Sequence, residues 1–209
     1  MAMTSPKAQT LFVAANATSI AASQTTAGAT ALNLTSGATA GTFATLGQFT
    51  FGMKITITSA GDESDIDFAI VGTNLSGGAE SETLTGPNSN TVTSVKFYKT
   101  ITSITPDGAV GNAITVGNAL STTGSIATFA GRTRLRGLFG TTAATADTVT
   151  SFHNGVNTSE TRTFAVHNPL AAKTFINPAD PPEGILFKDG LTVDMPNNSF
   201  LSLTIYYDG

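Results

Sequence analysis

Apolar and polar residues alternate in short runs along this chain, and glycine, proline and asparagine separate the runs. A period of two sends successive side chains to opposite faces of a strand, whereas a helix needs apolar residues every three or four positions. In FGMKITITS, Met53, Ile55 and Ile57 share one face and Lys54, Thr56 and Thr58 the other. AGDES turns the chain, and DIDFAIVGT then places Ile66, Phe68 and Ile70 inward and Asp65, Asp67 and Ala69 outward. NLSGG, GPNSNT and PDGA mark further turns around the polar strand AESETLTG, the run VTSVKFYKTITSIT and the closing VGNAITVGN. Short strands at this spacing predict an antiparallel sandwich or barrel. No segment carries apolar residues at helical spacing between caps.

The pattern is weaker before this region and resumes after it. Residues 1–50 are rich in Ala, Thr and Gly and predict either short strands or an extended arm. ALSTTGS at Ala119–Ser125 lacks bulky residues and reads as a linker. Beyond it, IATFAGRTRLRGLFGTT, DTVTSFHNG, ETRTFAVHN, KTFIN, GILFKDG, LTVDM and FLSLTIYYD carry a second set of strand patterns. The three prolines of PADPPEG, Pro178–Gly184, require a loop. Asp189-Gly190 predicts the tip of a hairpin, and the terminal strand is expected to be tied into a sheet. The expected fold is all-β: two small antiparallel β-sandwich or jelly-roll-like domains, residues 1–118 with an extended N-terminal arm and residues 119–209.

Composition narrows the chemistry. Only 11% of the 209 residues are charged, against about 25% in ordinary soluble domains, so the surface is unusually neutral. The net charge of −4 leaves no basic surplus to neutralise phosphates, and nucleic acid is not an expected partner. The absence of cysteine excludes disulfides, thiolate metal sites and cysteine catalysis. No run approaches the roughly 18 apolar residues of a membrane span, and Leu11–Ala15 is too short for a signal-peptide core. The chain is expected to be made in a cytoplasm, to stay soluble and to have no membrane partner.

The residues that attract a chemical reading are few. Asp62, Glu63, Asp65 and Asp67 crowd the first turn, but the loop lacks the glycine and terminal glutamate in the register of a calcium-binding hand. Asp65 and Asp67 share one strand face, and Glu80 and Glu82 share a face of the next strand. If those strands pair, four carboxylates meet on the outer surface, where like charges destabilise a sheet. Then either the register offsets them, or a cation or a basic partner sits there. Arg132, Arg134 and Arg136 alternate and so share one face, either a solvated or inter-subunit surface or a site for an anion. These seven residues are the candidate interface residues. His153 and His167 are read as ordinary surface or turn histidines, since zinc needs three or four ligands. Tyr98, Tyr206 and Tyr207 are read as packing or interface residues. No nucleophile elbow, Walker loop or dinucleotide fingerprint occurs, so neither catalytic residues nor a cofactor nor a metal is expected.

Residues 53–117 resemble a recurring module of tailed-bacteriophage virion proteins. The resemblance rests on the I-T-S-A-G turn at Ile57–Gly61 with its acidic pair, the V-x-G-T strand end (here V-G-T) at Val71–Thr73, and the T-x-T-G-P-N loop (here T-L-T-G-P-N) at Thr83–Asn88. It extends to the K-x-[IV]-T-x-I strand at Lys99–Ile104 and the V-G end at Val116–Gly117. The last third, with GILFKDGLTVDM and FLSLTIYYDG, is similar to small β domains that end many phage structural proteins. The resemblance implies a non-enzymatic virion component. A capsid decoration or cement protein is the first expectation. It would lie on the capsid exterior, contact the major capsid protein and copies of itself, and form a symmetric oligomer such as a trimer. A neck, tail or fibre-base protein and a host-glycan-binding module are the alternatives.

Overall fold

The structure, a computed structural model, describes residues 7–11, 16–34, 52–119, 125–142, 148–158, 161–168, 174–178, 183–195 and 200–208. Among the described residues every regular element is a strand, β1 to β16, and every strand pairing is antiparallel. The protein is all-β and sandwich-like. The chain divides into two compact units. The first, Ala15–Ala119, is an insert within the second, which comprises Met1–Ala14 and Leu120–Gly209 and is called the frame unit below.

The insert unit contains two sheets. One has the order β2 (Asn16–Thr26), β8 (Val110–Asn118), β3 (Ile55–Ser59), β6 (Thr91–Thr93). The other has the order β5 (Ala79–Thr85), β4 (Asp67–Thr73), β7 (Thr100–Pro106). Alternation does what the sequence predicts on the central strands. Ile55 and Ile57 on β3, Phe68 and Ile70 on β4, and Ile114 and Val116 on β8 are all fully buried. Burying a side chain of this size contributes about 1.5–3 kcal/mol. The run VTSVKFYKTITSIT resolves into β6, a turn and β7. β2 shows no alternation because its pairing with β8 shifts register repeatedly between Asn16 and Thr26. Bulges break the period, so Ser19, Ile20 and Ala21 are buried in succession.

Side chains and short segments cover the edges of these sheets. On one side, the Gln24 amide imitates a peptide group: its Nε2 donates to the Asn33 carbonyl at 3.0 Å and its Oε1 accepts from the Asn33 N–H at 2.8 Å. The neighbouring Leu32 N–H donates to the Ile104 carbonyl of β7 at 2.9 Å. The segment 32–33 thus links the free edge of β2 to that of β7. An uncovered strand edge is a template for unwanted pairing, and this arrangement blocks it.

In the frame unit one sheet has the order β1 (Lys7–Thr10), β16 (Phe200–Asp208), β10 (Thr133–Thr142), β13 (Thr174–Pro178), with β14 (Ile185–Phe187) also on β10. The other has the order β12 (Arg162–Asn168), β11 (Thr148–Asn154), β15 (Gly190–Asp194), β9 (Ser125–Ala130). Leu203, Ile205 and Tyr207 point inward from β16. β1 sets Lys7 opposite Tyr207 and Thr10 opposite Thr204, and the next residue, Leu11, is 1% exposed. The expected N-terminal arm of residues 1–118 is therefore, where described, two paired strands. The first of them satisfies the backbone of the C-terminal strand rather than lying with the insert unit.

Two further expectations change. Asp189-Gly190 does not cap a hairpin, because β14 pairs with β10 while β15 pairs with β11 and β9 in the other sheet. The dipeptide instead marks a crossover, held where Asn154 Oδ1 accepts the N–H groups of Lys188 and Asp189 and Asn154 Nδ2 donates to Asp189 at 2.7 Å. His153 is not a surface residue. It lies on β11 at 8% exposure opposite Thr192, on the central part of a sheet that is buried on both faces there. Most of the PADPPEG loop lies outside the described residues; Pro178 ends β13, which has no second partner strand among them.

Candidate interaction surfaces

The loop between β3 and β4 is built against the loop between β5 and β6. The Ser89 N–H donates to the Gly61 carbonyl at 2.8 Å, the Glu63 N–H to Pro87 at 2.9 Å and the Gly86 N–H to Ile66 at 2.8 Å. The two loops thus satisfy each other's backbone. Gly86 has to be glycine: a Cβ there would lie 2.2 Å from the Glu63 carbonyl oxygen.

Within this pair of loops the four carboxylates separate into different roles. Asp62 is exposed and accepts from the Ser64 hydroxyl at 2.7 Å and the Ser64 N–H at 3.0 Å. Those bonds, the hydroxyl first, hold its carboxyl below the usual aspartate range. Glu63 is only 5% exposed. Its Oε1 accepts from the Asn112 side chain at 2.9 Å and from the Asn112 N–H at 2.5 Å, which fastens the loop to β8. Asp65 is an exposed turn residue before β4 rather than part of it. Asp67 accepts from the Thr85 hydroxyl at 2.9 Å, and its N–H donates to Asp107 at 3.0 Å. Asp62, Glu63 and Asp65 line a cleft of about 350 Å³ between this turn and residues 109–112. Among the described residues no three His, Asp or Glu side chains are grouped to hold a metal ion.

Charge is unevenly distributed. The insert unit has three lysines against seven carboxylates, so it carries the whole net −4, while the frame unit has seven of each sign. Asp62, Glu63, Asp65, Asp67 and Asp107 gather where β3 ends, β4 begins and β7 passes into β8. Lys54, Lys96 and Lys99 lie at the opposite strand ends, where β3 and β7 begin.

Glu80 and Glu82 do not join Asp65 and Asp67. The register sets Glu80 opposite Gly72 and Glu82 opposite Ile70, on the core side of β4, whereas Asp67 pairs with Thr85 on the other face. Directly opposed residues share a face, so a strand offset by an odd number of positions sends its side chains the other way. Glu82 receives the N–H groups of Val95 and Lys96 at 2.8 and 3.0 Å. Lys96 Nζ donates to Glu80 at 2.6 Å and to the Ser81 carbonyl at 2.8 Å. The strand alternates between exposed and half-buried, and the one sequence mark of the inward face is Leu84, which shares the parity of Glu80 and Glu82 and lies opposite Phe68.

Tyr98 lies beside this cluster and is fully buried. Burial, with the charges of Glu82 and Glu80, pushes its phenol well above the usual tyrosine range. No hydrogen-bond partner meets its hydroxyl among the described residues. Tyr98→Phe is therefore expected to leave stability unchanged or to raise it by up to about 1 kcal/mol, as the urea midpoint will report. Tyr207 is likewise a packing residue, against Phe129 at 5.5 Å, while Tyr206 is 39% exposed.

Two of the arginines also bind backbone. Arg134 Nη1 donates to the Gly184 carbonyl at 3.1 Å and Arg136 Nη1 to the Glu183 carbonyl at 2.6 Å. Arg136 is the bulged residue between Leu135 and Gly137, where β10 changes partner from β14 to β13, and its Nε lies 3.7 Å from Asp208. Arg132 precedes β10 and is exposed, so the three do not form one patch. His167 falls on β12 opposite Val149, away from His153 in register.

No protein-family model, curated protein or solved structure matches the chain.

Proposed function

We propose that this chain is a non-enzymatic structural component of a tailed-bacteriophage virion, acting as a capsid decoration or cement protein. The observation that carries the reading is the use made of its polar side chains. Glu63, Glu82, Arg134, Arg136, Asn154 and Gln24 all bind backbone groups of neighbouring loops and strands. Part of the charge is thereby committed to holding turns in place, and outside the acidic end of the insert unit much of the described surface is uncharged Thr, Ser, Asn and Ala. Such a surface suits many modest contacts with copies of itself and with the major capsid protein, which add up through multivalency. The family resemblance of residues 53–117 supports the same reading.

Quantitative mass analysis of purified particles tests it: a cement protein is expected at on the order of hundreds of copies, whereas about a dozen or fewer indicates a neck, tail or fibre-base role. Binding of the isolated protein to host glycans would favour the adhesin class instead. The acidic end of the insert unit is the first surface to vary. Asp65→Asn with Asp67→Asn is expected to leave the melting temperature within a few degrees, since neither carboxylate is buried, and to weaken particle binding severalfold. Unchanged binding by sedimentation would remove this face from the contact.

A further inference from the structure

We propose that Asn154 is a site of spontaneous covalent modification: it deamidates when the crossover at Asp189-Gly190 opens, and the product keeps the crossover from closing again. The inference does not depend on the virion reading. Asn154-Gly155 is the one Asn-Gly dipeptide in the chain. Glycine has no side chain, so nothing crowds the approach of the Gly155 nitrogen to the Asn154 Cγ. The fold requires both residues. Gly155 is buried with a φ of 145°, a conformation that side chains rarely adopt. Gly190, with a φ of 137°, lies so close that a Cβ on it would stand 3.0 Å from the Gly155 carbonyl. Asn154 is required because its amide is acceptor and donor at once. Its Oδ1 takes the N–H groups of Lys188 and Asp189, and its Nδ2 donates to the Asp189 carboxylate at 2.7 Å. The packing that closes the crossover thus puts a reactive dipeptide at its centre.

The reaction consumes only water. The Gly155 nitrogen bonds to Asn154 Cγ, the Cγ–Nδ2 bond breaks, and ammonia leaves with the proton of the Gly155 N–H. Water then opens the cyclic imide at either carbonyl. One opening gives aspartate, and the other gives isoaspartate, with the main chain rerouted through the side chain. The closed crossover holds the reacting atoms apart. The Gly155 N–H donates to the Gly190 carbonyl at 3.0 Å, and the Asn154 amide makes the three bonds just described, so four hydrogen bonds have to break before the ring can close. Thr192 Oγ1 fixes the same peptide by donating to the Gly155 carbonyl at 2.9 Å. Conversion therefore proceeds from molecules in which this segment has opened. Lys188 and Asp189 are exposed, so solvent reaches the opened segment. Afterwards the new acid has no donor for Asp189 and sets a second carboxylate where the 2.7 Å bond had been. Isoaspartate also lengthens the main chain ahead of Gly155 and displaces it from Gly190. Either product leaves the crossover open.

Peptide mapping by mass spectrometry tests this on the full natural chain, held at mildly alkaline pH either folded or in concentrated urea. Conversion of Asn154 is expected to be slower in the folded chain by about 100-fold or more, a factor set by the four hydrogen bonds. Rates within about threefold of each other would overturn the proposal, because the closed crossover would then protect nothing. Asp189→Ala removes the acceptor of Nδ2 and is expected to speed conversion in the folded chain by about tenfold, and an unchanged rate would count against the clasp. Asn154→Asp stands in for the product. Its Gly155 amide is expected to lose about tenfold or more of its protection from hydrogen exchange, and full protection there would overturn the claim that the crossover stays open. The comparison of folded and urea-treated natural chain decides the protection even if neither variant folds.

Discussion

Replacing Gly72 with alanine is expected to destabilise the insert unit by about 3 kcal/mol, one of the largest effects available from a single methyl group in this protein. Gly72 lies on β4 at the register shift against β7, and a Cβ there would stand 2.0 Å from the Thr100 carbonyl oxygen. That atom is backbone, so no side chain can rotate out of the way. The strands must separate, and the ladder that aligns Ile70 with Ile104 is disturbed with them. Gly28→Ala is the control, since nothing lies within 4 Å of a Cβ there, and it is expected within about 0.5 kcal/mol of the natural protein. Urea unfolding of both variants measures the difference. Equal midpoints would show that β4 and β7 do not approach as closely as the structure places them.

Glu63→Ala is expected to cost about 2–3 kcal/mol, because it leaves the Asn112 N–H without its acceptor and removes a charge-assisted bond from a nearly closed site. Glu63→Gln keeps a carbonyl oxygen for Asn112 and is expected to recover more than half of that loss. If the two variants unfold together with the natural protein, the loop is held by its backbone bonds to residues 86–89 alone. The contrast with Asp65→Asn, which touches an exposed turn, separates the structural carboxylate of this loop from those free to make contacts.

Alternation made the central strands legible. Ile55, Ile57, Phe68 and Ile70 are buried as their spacing predicts, because each strand there keeps its register over the residues concerned, and Ile205 and Tyr207 are buried likewise because the bulge opposite them lies on β10 and leaves β16 regular. Where the register slips, the signal is lost. The buried run Ser19–Ala21 reads as a featureless alanine-rich segment because bulges against β8 turn neighbours the same way. The acidic loop reads as a solvated turn because a glutamate that binds a distant backbone N–H looks, in sequence, like one that binds water. Asn112 lies 49 positions from Glu63, and no local pattern links them.

The amino-acid sequence by itself determined that this chain forms antiparallel strands and which faces of its regular strands are apolar. Both follow from the two-residue period and from local turn chemistry. Only the tertiary structure decided which strands pair, and with that the place of almost every charged group. The pairing of β5 with β4 turned Glu80 and Glu82 inward, and the crossover at Asp189-Gly190 sent β14 and β15 to different sheets. It also carried β1 to the far end of the chain. The physical reason is that register and partner choice are set by contacts between residues far apart in sequence, while the period of two is a property of each strand alone.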